Sequence, residues 1–410
     1  MKPNSIQNIV KVSARAFTNP FQVHSVSPLK TNVVKVGGNP VTIFHFPSNP
    51  HNETPSSNLP TSQIRTELAK SCPWESVMTY SNYPYTPFGS HHVENDISHN
   101  VNKSNATWNR IWFYMPSGEE VSFCAHAAMA ACSVIQTYEH IDNDCNDRER
   151  KNVIHFLSGI LNDEEEQDDE MKQRKLIPNQ AFVRLVTSSS NVEEDHDSGT
   201  TKWIEVSLQM PSTLDESEIL NKESLMKLLS EIGLHENDIM REFETNDERI
   251  HDLPSCINSS VARKKTLIPV KSESILHSAT NPKDASYFRD LCDDIDSTGL
   301  YLYTPQSTLS SSSLLLPSLS SFECRQFPRY SGYPEDPATG IAAAALANSL
   351  YNRNIHDDED DGTATTTAYD IFQGTAMGKP SRIQICFDSD NDDVLICSGV
   401  VEIDEVHPVQ

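Results

Sequence analysis

The sequence predicts an α+β chain of two similar domains, on three observations. Two alanine-rich apolar segments, AHAAMAAC from residue 125 and IAAAALANSL from residue 341, each follow a polar or turn-forming cluster. Each is flanked on both sides by short runs of β-branched and aromatic residues, the pattern of strands. The order strands, one Ala-rich helix, strands occurs once in each half, which points to a duplicated architecture. The expected boundaries are residues 1–211 and 212–410, with the closing strands allowed to return to the first domain.

In the first half, residues 8–18 and 40–46 read as strands, and SQIRTELAKS at 62–71 as a short amphipathic helix before Pro73. Strand-like IWFYM at 111–115 leads into the first Ala-rich helix, about 125–138. NVIHFLSGIL, QAFVRLV and WIEVSLQM follow as three more strands, separated by acidic runs that read as solvated loops. The second half opens near Pro211 with ESLMKLLSEIGL, whose Leu, Met and Ile spacing gives a helix one buried face. TLIPV at 266–270, GLYLYT at 299–304 and the region around Phe327 read as strands before the second Ala-rich helix, about 339–351. RIQICF and VLICSGVVEI close the chain as a hairpin, and the polar runs 242–260, 307–321 and 356–367 read as insertions.

Composition narrows the function. The chain has 410 residues, 37% hydrophobic content and a formal net charge of −26. Phosphate neutralisation needs clustered Lys and Arg, so this acidic balance argues against nucleic acid or an anionic membrane as partner. Nine cysteines without a CxxC pair suggest neither a zinc cluster nor a disulfide framework, and fit reduced thiols in the cytosol. There is no apolar run of membrane-spanning length, and the Asn-x-Ser/Thr triplets at Asn52, Asn102 and Asn105 carry no weight in a cytosolic reading. DSDND at 388–392 starts like a calcium loop, but Asp393 stands where glycine is required and Gly399 where a bidentate glutamate is, so it reads as a hairpin turn. His91, His92 and His140 lack partners at ligand spacing, and no metal is assigned.

The chemistry gathers at the two helix openings. The first turn of a helix offers backbone N–H groups without intrahelical partners, and two such ends could grip one carboxylate. Singly, each residue there has a plain structural reading: Asp336 and Pro337 as first-turn residues, His126 as a satisfied histidine, Cys124 as a small buried residue, Glu75 as a surface carboxylate or cap. Trp74 beside Glu75 is expected to desolvate it.

Taken together, FTNPF at 17–21, GGNP at 37–40, IRTEL and WESV within 64–77, PSGEEVSFCAHAA at 116–128, YPEDPATG at 333–340 and QGTAMGKPSRIQI at 373–385 resemble the PhzF-like phenazine-biosynthesis family. The resemblance implies a diaminopimelate-epimerase-like fold: two pseudo-symmetric domains, each a barrel-like, mostly antiparallel sheet around a central helix, with the active site in the cleft between them. It implies isomerisation of a small carboxylate-bearing substrate by proton movement, no metal or organic cofactor, and a homodimer. Glu75 matches the family's general acid/base; His126 and Asp336 match its cleft histidine and aspartate. Ala125 and Ala127 at one helix start, with Thr339, Gly340 and Ile341 at the other, match its substrate-binding backbone. Two-thiol epimerases of the wider superfamily are disfavoured: Cys124 stands at the first thiol position, but 336–340 contains no cysteine. Ala125 replaces the family's usual glycine, Ala128 a threonine and Ile341 a serine. The two lost hydroxyls remove hydrogen bonds worth about 1 kcal/mol each. These changes keep open an alternative, a catalytically silent relative that binds a metabolite or a protein.

Overall fold

The computed structural model describes residues 9–18, 38–46, 60–81, 108–139, 152–159, 177–185, 202–211, 215–240, 256–309, 315–329, 333–353, 367–388 and 391–408. Asn52, Asn102, Asn105, His91, His92, His140, most of FTNPF and the acidic insertions lie outside them. The chain divides into two compact units, one comprising Met1–Ala14, Pro40–Leu208 and Val401–Gln410, the other Arg15–Asn39 and Gln209–Val400.

The first unit is built on β1 (Val10–Thr18), β2 (Asn39–Phe46), α1 (Ser62–Lys70), β3 (Ser76–Tyr80), β4 (Trp108–Tyr114), β5 (Glu120–Val121), α2 (Ala125–Glu139), β6 (Asn152–Ser158), β7 (Ile177–Leu185) and β8 (Lys202–Pro211), of which Arg15–Thr18, Asn39 and Gln209–Pro211 count with the second unit. Its strand order is β1-β2-β3-β4-β6-β7-β8, with β5 beside β4. β2 pairs parallel with β3 across α1, and β4 parallel with β6 across α2; the pairs β3–β4, β6–β7 and β7–β8 are antiparallel. Helix α1 begins on a Thr61 hydroxyl that accepts from the Ile64 amide, and α2 packs its small apolar residues on β3, β4, β6 and β7. Ala127, Ala128, Ala130 and Ala131 are wholly buried, which explains the composition: only short side chains let a helix fit within a curved sheet.

The second unit holds β9 (Asp215–Glu218), α3 (Lys222–Glu231), β10 (Ile257–Ser260), β11 (Lys265–Pro269), α4 (Glu273–Ser278), α5 (Ala285–Asp294), β12 (Gly299–Leu309), β13 (Leu315–Pro328), α6 (Gly340–Tyr351), β14 (Ala368–Gln373), β15 (Ser381–Asp388) and β16 (Asn391–Pro408). The strand order is β16-β15-β14-β13-β12-β11-β10-β9. β11 pairs parallel with β12 across α4 and α5, and β13 parallel with β14 across α6; β12–β13, β14–β15 and β15–β16 are antiparallel. This repeats the first unit element by element, so β2-α1-β3-β4-α2-β6-β7-β8 corresponds to β11-(α4, α5)-β12-β13-α6-β14-β15-β16. One face of the sheet meets α6, every residue of which is buried from Gly340 to Leu350. The other meets α3, α4 and α5 through Leu225, Leu228, Leu276, Phe288 and Leu291, packed on Ile268, Leu300, Leu302 and Phe327. Covered on both faces, β11 and β12 read as continuous apolar runs rather than as alternation.

Several elements depart from the expectation, among them the short strands β5 and β9. Helices α4 and α5 were not anticipated, since their polar residues dilute the apolar stripe. The polar run 242–260 ends in a strand, β10, whose Asn258 and Ser259 are buried by hydrogen bonds rather than hydrophobicity. The serine-rich 307–321 carries the end of β12 and the start of β13 at its two margins. Strand β14 was also missed.

Candidate functional site

In the first unit, Glu75 sits between α1 and β3 and is 5% exposed. Its carbonyl accepts from the Thr42 amide at 3.1 Å, which fixes the backbone to β2 where the parallel ladder begins. Trp74 is 42% exposed, so the fold buries Glu75 without enclosing the neighbouring indole. His126 is the second residue of α2 and is 5% exposed. The Ala128 amide donates to the Cys124 carbonyl at 2.9 Å, closing the first turn and leaving the amides of residues 125–127 outside the intrahelical ladder. Ala125 and Ala127 are buried, and Cys124 is buried with its Sγ 3.4 Å from His126 Nδ1.

In the second unit the turn before α6 is held by a dense polar network. The Asp336 carboxylate accepts at Oδ1 from Asn39 Nδ2 (2.7 Å) and the Ala338 amide (3.2 Å), and at Oδ2 from the Thr339 hydroxyl (2.6 Å). Asn39 also donates to the Ala338 carbonyl at 3.0 Å. Gln373, wholly buried, donates through Nε2 to the Asp336 carbonyl at 2.7 Å. Its Oε1 accepts from the Thr339 amide and the Tyr301 hydroxyl, each at 3.2 Å. The Ala342 and Ala343 amides both reach the Thr339 carbonyl, at 3.1 and 3.0 Å. Thr339 is therefore engaged at its amide, hydroxyl and carbonyl, whereas the Gly340 and Ile341 amides fall between these bonds at the helix start. A buried N–H in that position is an electrostatic match for an anion.

The neighbouring Glu335 has a separate role. Its two oxygens take Arg325 Nε and one terminal nitrogen at 2.8 Å each, and the other terminal nitrogen of Arg325 reaches the carbonyls of Leu276, His277 and Ala279. This buried fork ties the turn to the end of α4. Gly374, at φ +81°, follows Gln373 where an added Cβ would lie 2.3 Å from the Lys379 carbonyl oxygen and 2.8 Å from that of Pro337. Only glycine lets the two loops approach so closely.

Glu75, His126, Ala125 and Ala127 thus belong to the first unit, and Asp336, Thr339, Gly340 and Ile341 to the second. Sequence reasoning missed Asn39 and Gln373, which bond to Asp336, and Tyr301, which bonds to Gln373. Asn39 and Gln373 lie inside motifs already noted, GGNP and QGTAMGK, so their signal was present without a role. Among the described residues no group of three or more His, Cys, Asp or Glu side chains is placed to hold a metal ion, and no helix is long and apolar enough to cross a membrane.

Residues 235–399 match the sequence model of the family described as phenazine biosynthesis-like protein. No curated protein matches the sequence. Among solved structures, the chain is similar to a phenazine biosynthesis protein of the PhzF family from Bacillus anthracis, at 14% identity and a TM-score of 0.58 over 98% of this chain and 99% of that one. It is also similar to a predicted epimerase from Pseudomonas aeruginosa, at 14% identity and a TM-score of 0.54 over the same shares. A PhzF-family protein from Enterococcus faecalis gives 14% identity and a TM-score of 0.51, again over 98% and 99% of the two chains. These likenesses carry the α+β fold across nearly the whole length, beyond the stretch that the family match covers. Residues 235–399 thus resemble the phenazine biosynthesis-like family in sequence, and the chain as a whole shares the α+β fold of these solved structures.

Proposed function

We propose that the protein is a cofactor-independent isomerase that moves a proton on a small carboxylate-bearing metabolite, with Glu75 as general acid/base. The family match over residues 235–399 and the likeness in fold to a predicted epimerase support isomerase- or epimerase-like chemistry. The observation that carries the finer reading is the burial of the Glu75 carboxylate at the start of β3. A carboxylate removed from water holds a proton more readily, which suits a group that must both take and return one. In this reading Glu75 accepts the proton from a substrate C–H bond, and the electron pair left behind delocalises into the adjoining π system. The same Glu75 O–H then protonates another carbon, so that substrate and product have equal composition. Within the first unit His126 orients the substrate; within the second, the Gly340 and Ile341 amides form a carboxylate-binding helix start whose turn Asp336 keeps in shape.

A panel of small unsaturated carboxylic acids incubated with the protein in heavy water tests the proposal. The expected result is a mass gain of one in a substrate, slowed by about 10²–10⁴-fold in Glu75→Gln. Exchange that persists in that variant would remove Glu75 from the role.

A second reading, a silent relative that binds a metabolite or protein, is supported by the buried apolar side chains of Ala125, Ala128 and Ile341 at the two helix starts. It predicts saturable binding of a panel member with no deuterium uptake.

A further inference from the structure

The second unit buries two polar groups that its described residues leave without full hydrogen bonding. Gln326 is wholly buried, and among the described residues neither its Nε2 nor its Oε1 has a partner. Lys265 is 7% exposed, and its ammonium donates one hydrogen bond, to the Thr298 carbonyl at 3.2 Å. Native interiors rarely leave such groups unpaired, because the lost hydration is not recovered.

Both groups converge on one peptide. Register pairs Tyr301 with Gln326 and Thr266 with Leu300, so Lys265 and Gln326 lie on the face of β12 that carries Gly299 and Tyr301. That face looks toward α6, since Ser259, the register partner of Lys265, donates to the Ala345 carbonyl. Gly299 carries no side chain, and a Cβ built there would meet the Phe327 carbonyl oxygen at 2.4 Å, Pro328 Cα at 2.8 Å and Gln326 Nε2 at 2.9 Å. The Gln326 carbonyl accepts from the Asp336 amide at 3.0 Å, which joins this place to the turn before α6. The internal repeat adds an independent pointer: Thr298 immediately precedes β12 as Glu75 immediately precedes β3.

We propose that Lys265 and Gln326 form a binding subsite for an anionic group at Thr298–Gly299, receiving a second carboxylate of the substrate. The inference rests on the reading of the α6 start as a carboxylate site, and it makes the substrate a dicarboxylate. An ammonium and an amide N–H supply two donors for the two oxygens of one carboxylate. Three groups face the amine: Arg263 and burial oppose its charge, Asp336 favours it, and Cys292 of α5 is a thiol whose own ionisation burial resists. The balance lowers the Lys265 pKa to about 7, chiefly through burial, so an arriving anion would draw a proton onto the amine near neutrality.

Calorimetric titration of the full chain with sodium malonate and with sodium acetate near pH 7, in Hepes and in Tris, reads both affinity and proton exchange. The expected result is malonate binding at least about 10-fold tighter than acetate with net proton uptake. Lys265→Met should lose the malonate advantage and the uptake while its unliganded melting midpoint stays level or rises, because an apolar isostere removes an unsatisfied buried charge. Gln326→Met, which leaves the amine in place, should weaken malonate by about 5-fold. Unchanged malonate affinity in both variants would overturn the subsite. So would a lowered melting midpoint with affinity retained, the result expected if internal waters alone join the two groups. Acetate affinity and Glu75-dependent deuterium uptake report separately on the isomerase reading, so the two proposals fail by different measurements.

Discussion

Replacing Gln373 with methionine keeps side-chain length and volume and removes every hydrogen bond that this side chain makes. The Tyr301 hydroxyl, the Thr339 amide and the Asp336 carbonyl each lose a partner around the wholly buried Gln373 position. An orphaned buried polar group costs about 1–3 kcal/mol, so three of them predict a loss of roughly 3–6 kcal/mol after partial relaxation. That is a large share of the 5–15 kcal/mol typical of a folded domain. Because the chain has two units and need not unfold in one step, the loss is best read locally. Amide hydrogen exchange at Thr339 through Ala343 should accelerate by about 100-fold or more, while α2 of the other unit keeps its protection. Gln373→Glu retains acceptors for the Tyr301 hydroxyl and the Thr339 amide and loses the donor to the Asp336 carbonyl and the Thr339 hydroxyl oxygen, so its effect should be intermediate. Unaltered exchange at the start of α6 in Gln373→Met would refute the assignment of Gln373 as the residue that shapes this turn.

Two further predictions follow from buried charge. Burial lowers the His45 pKa from 6.5 to about 4, so between these values the unfolded chain binds a proton that the folded chain does not. Stability should therefore be level above pH 6.5 and fall as pH drops towards 4, by about 3 kcal/mol for this residue, and urea titrations of His45→Gln should show a shallower acid limb. Arg325→Met leaves the Glu335 carboxylate buried without its fork, and chemical denaturation should register a loss of about 3–5 kcal/mol; Arg325→Met paired with Glu335→Leu should recover most of it.

Much of the fold was legible because its central elements are unusual. A helix of alanines that is apolar on every side can only be interior, and 125–139 and 340–351 emerge as helices almost to the residue. The strands around them were legible wherever apolar runs were unbroken, as in TLIPV and GLYLYT. The reading failed where burial is earned by hydrogen bonding: Asn258 of β10 is interior because it accepts from the Thr266 hydroxyl at 2.7 Å and donates to the Ile295 carbonyl at 2.6 Å. Helices α4 and α5 were missed for a related reason, since each begins on a side-chain cap, Ser272 or Asp284, and buries only a narrow stripe. At the candidate site, the sequence marked Glu75, His126 and Asp336 through their motifs. It assigned no duties to Asn39, Tyr301 or Gln373, whose partners are 297, 72 and 34 residues away.

The sequence by itself determined that the chain is an α+β duplication with two buried alanine helices and a PhzF-like set of motifs. Periodicity, side-chain size and motif spacing are local properties, and they survive being read one residue at a time. Only the tertiary structure decided how the acidic side chains of EDPATG divide their labour. Glu335 closes on Arg325 to anchor a loop, while Asp336 is held by Asn39, Ala338 and Thr339. It also decided that Lys265 and Gln326, unremarkable in sequence, share the buried face beside Gly299. The physical reason is the same in each case: hydrogen bonds and desolvation depend on which strands become neighbours, and that pairing is settled by the fold as a whole.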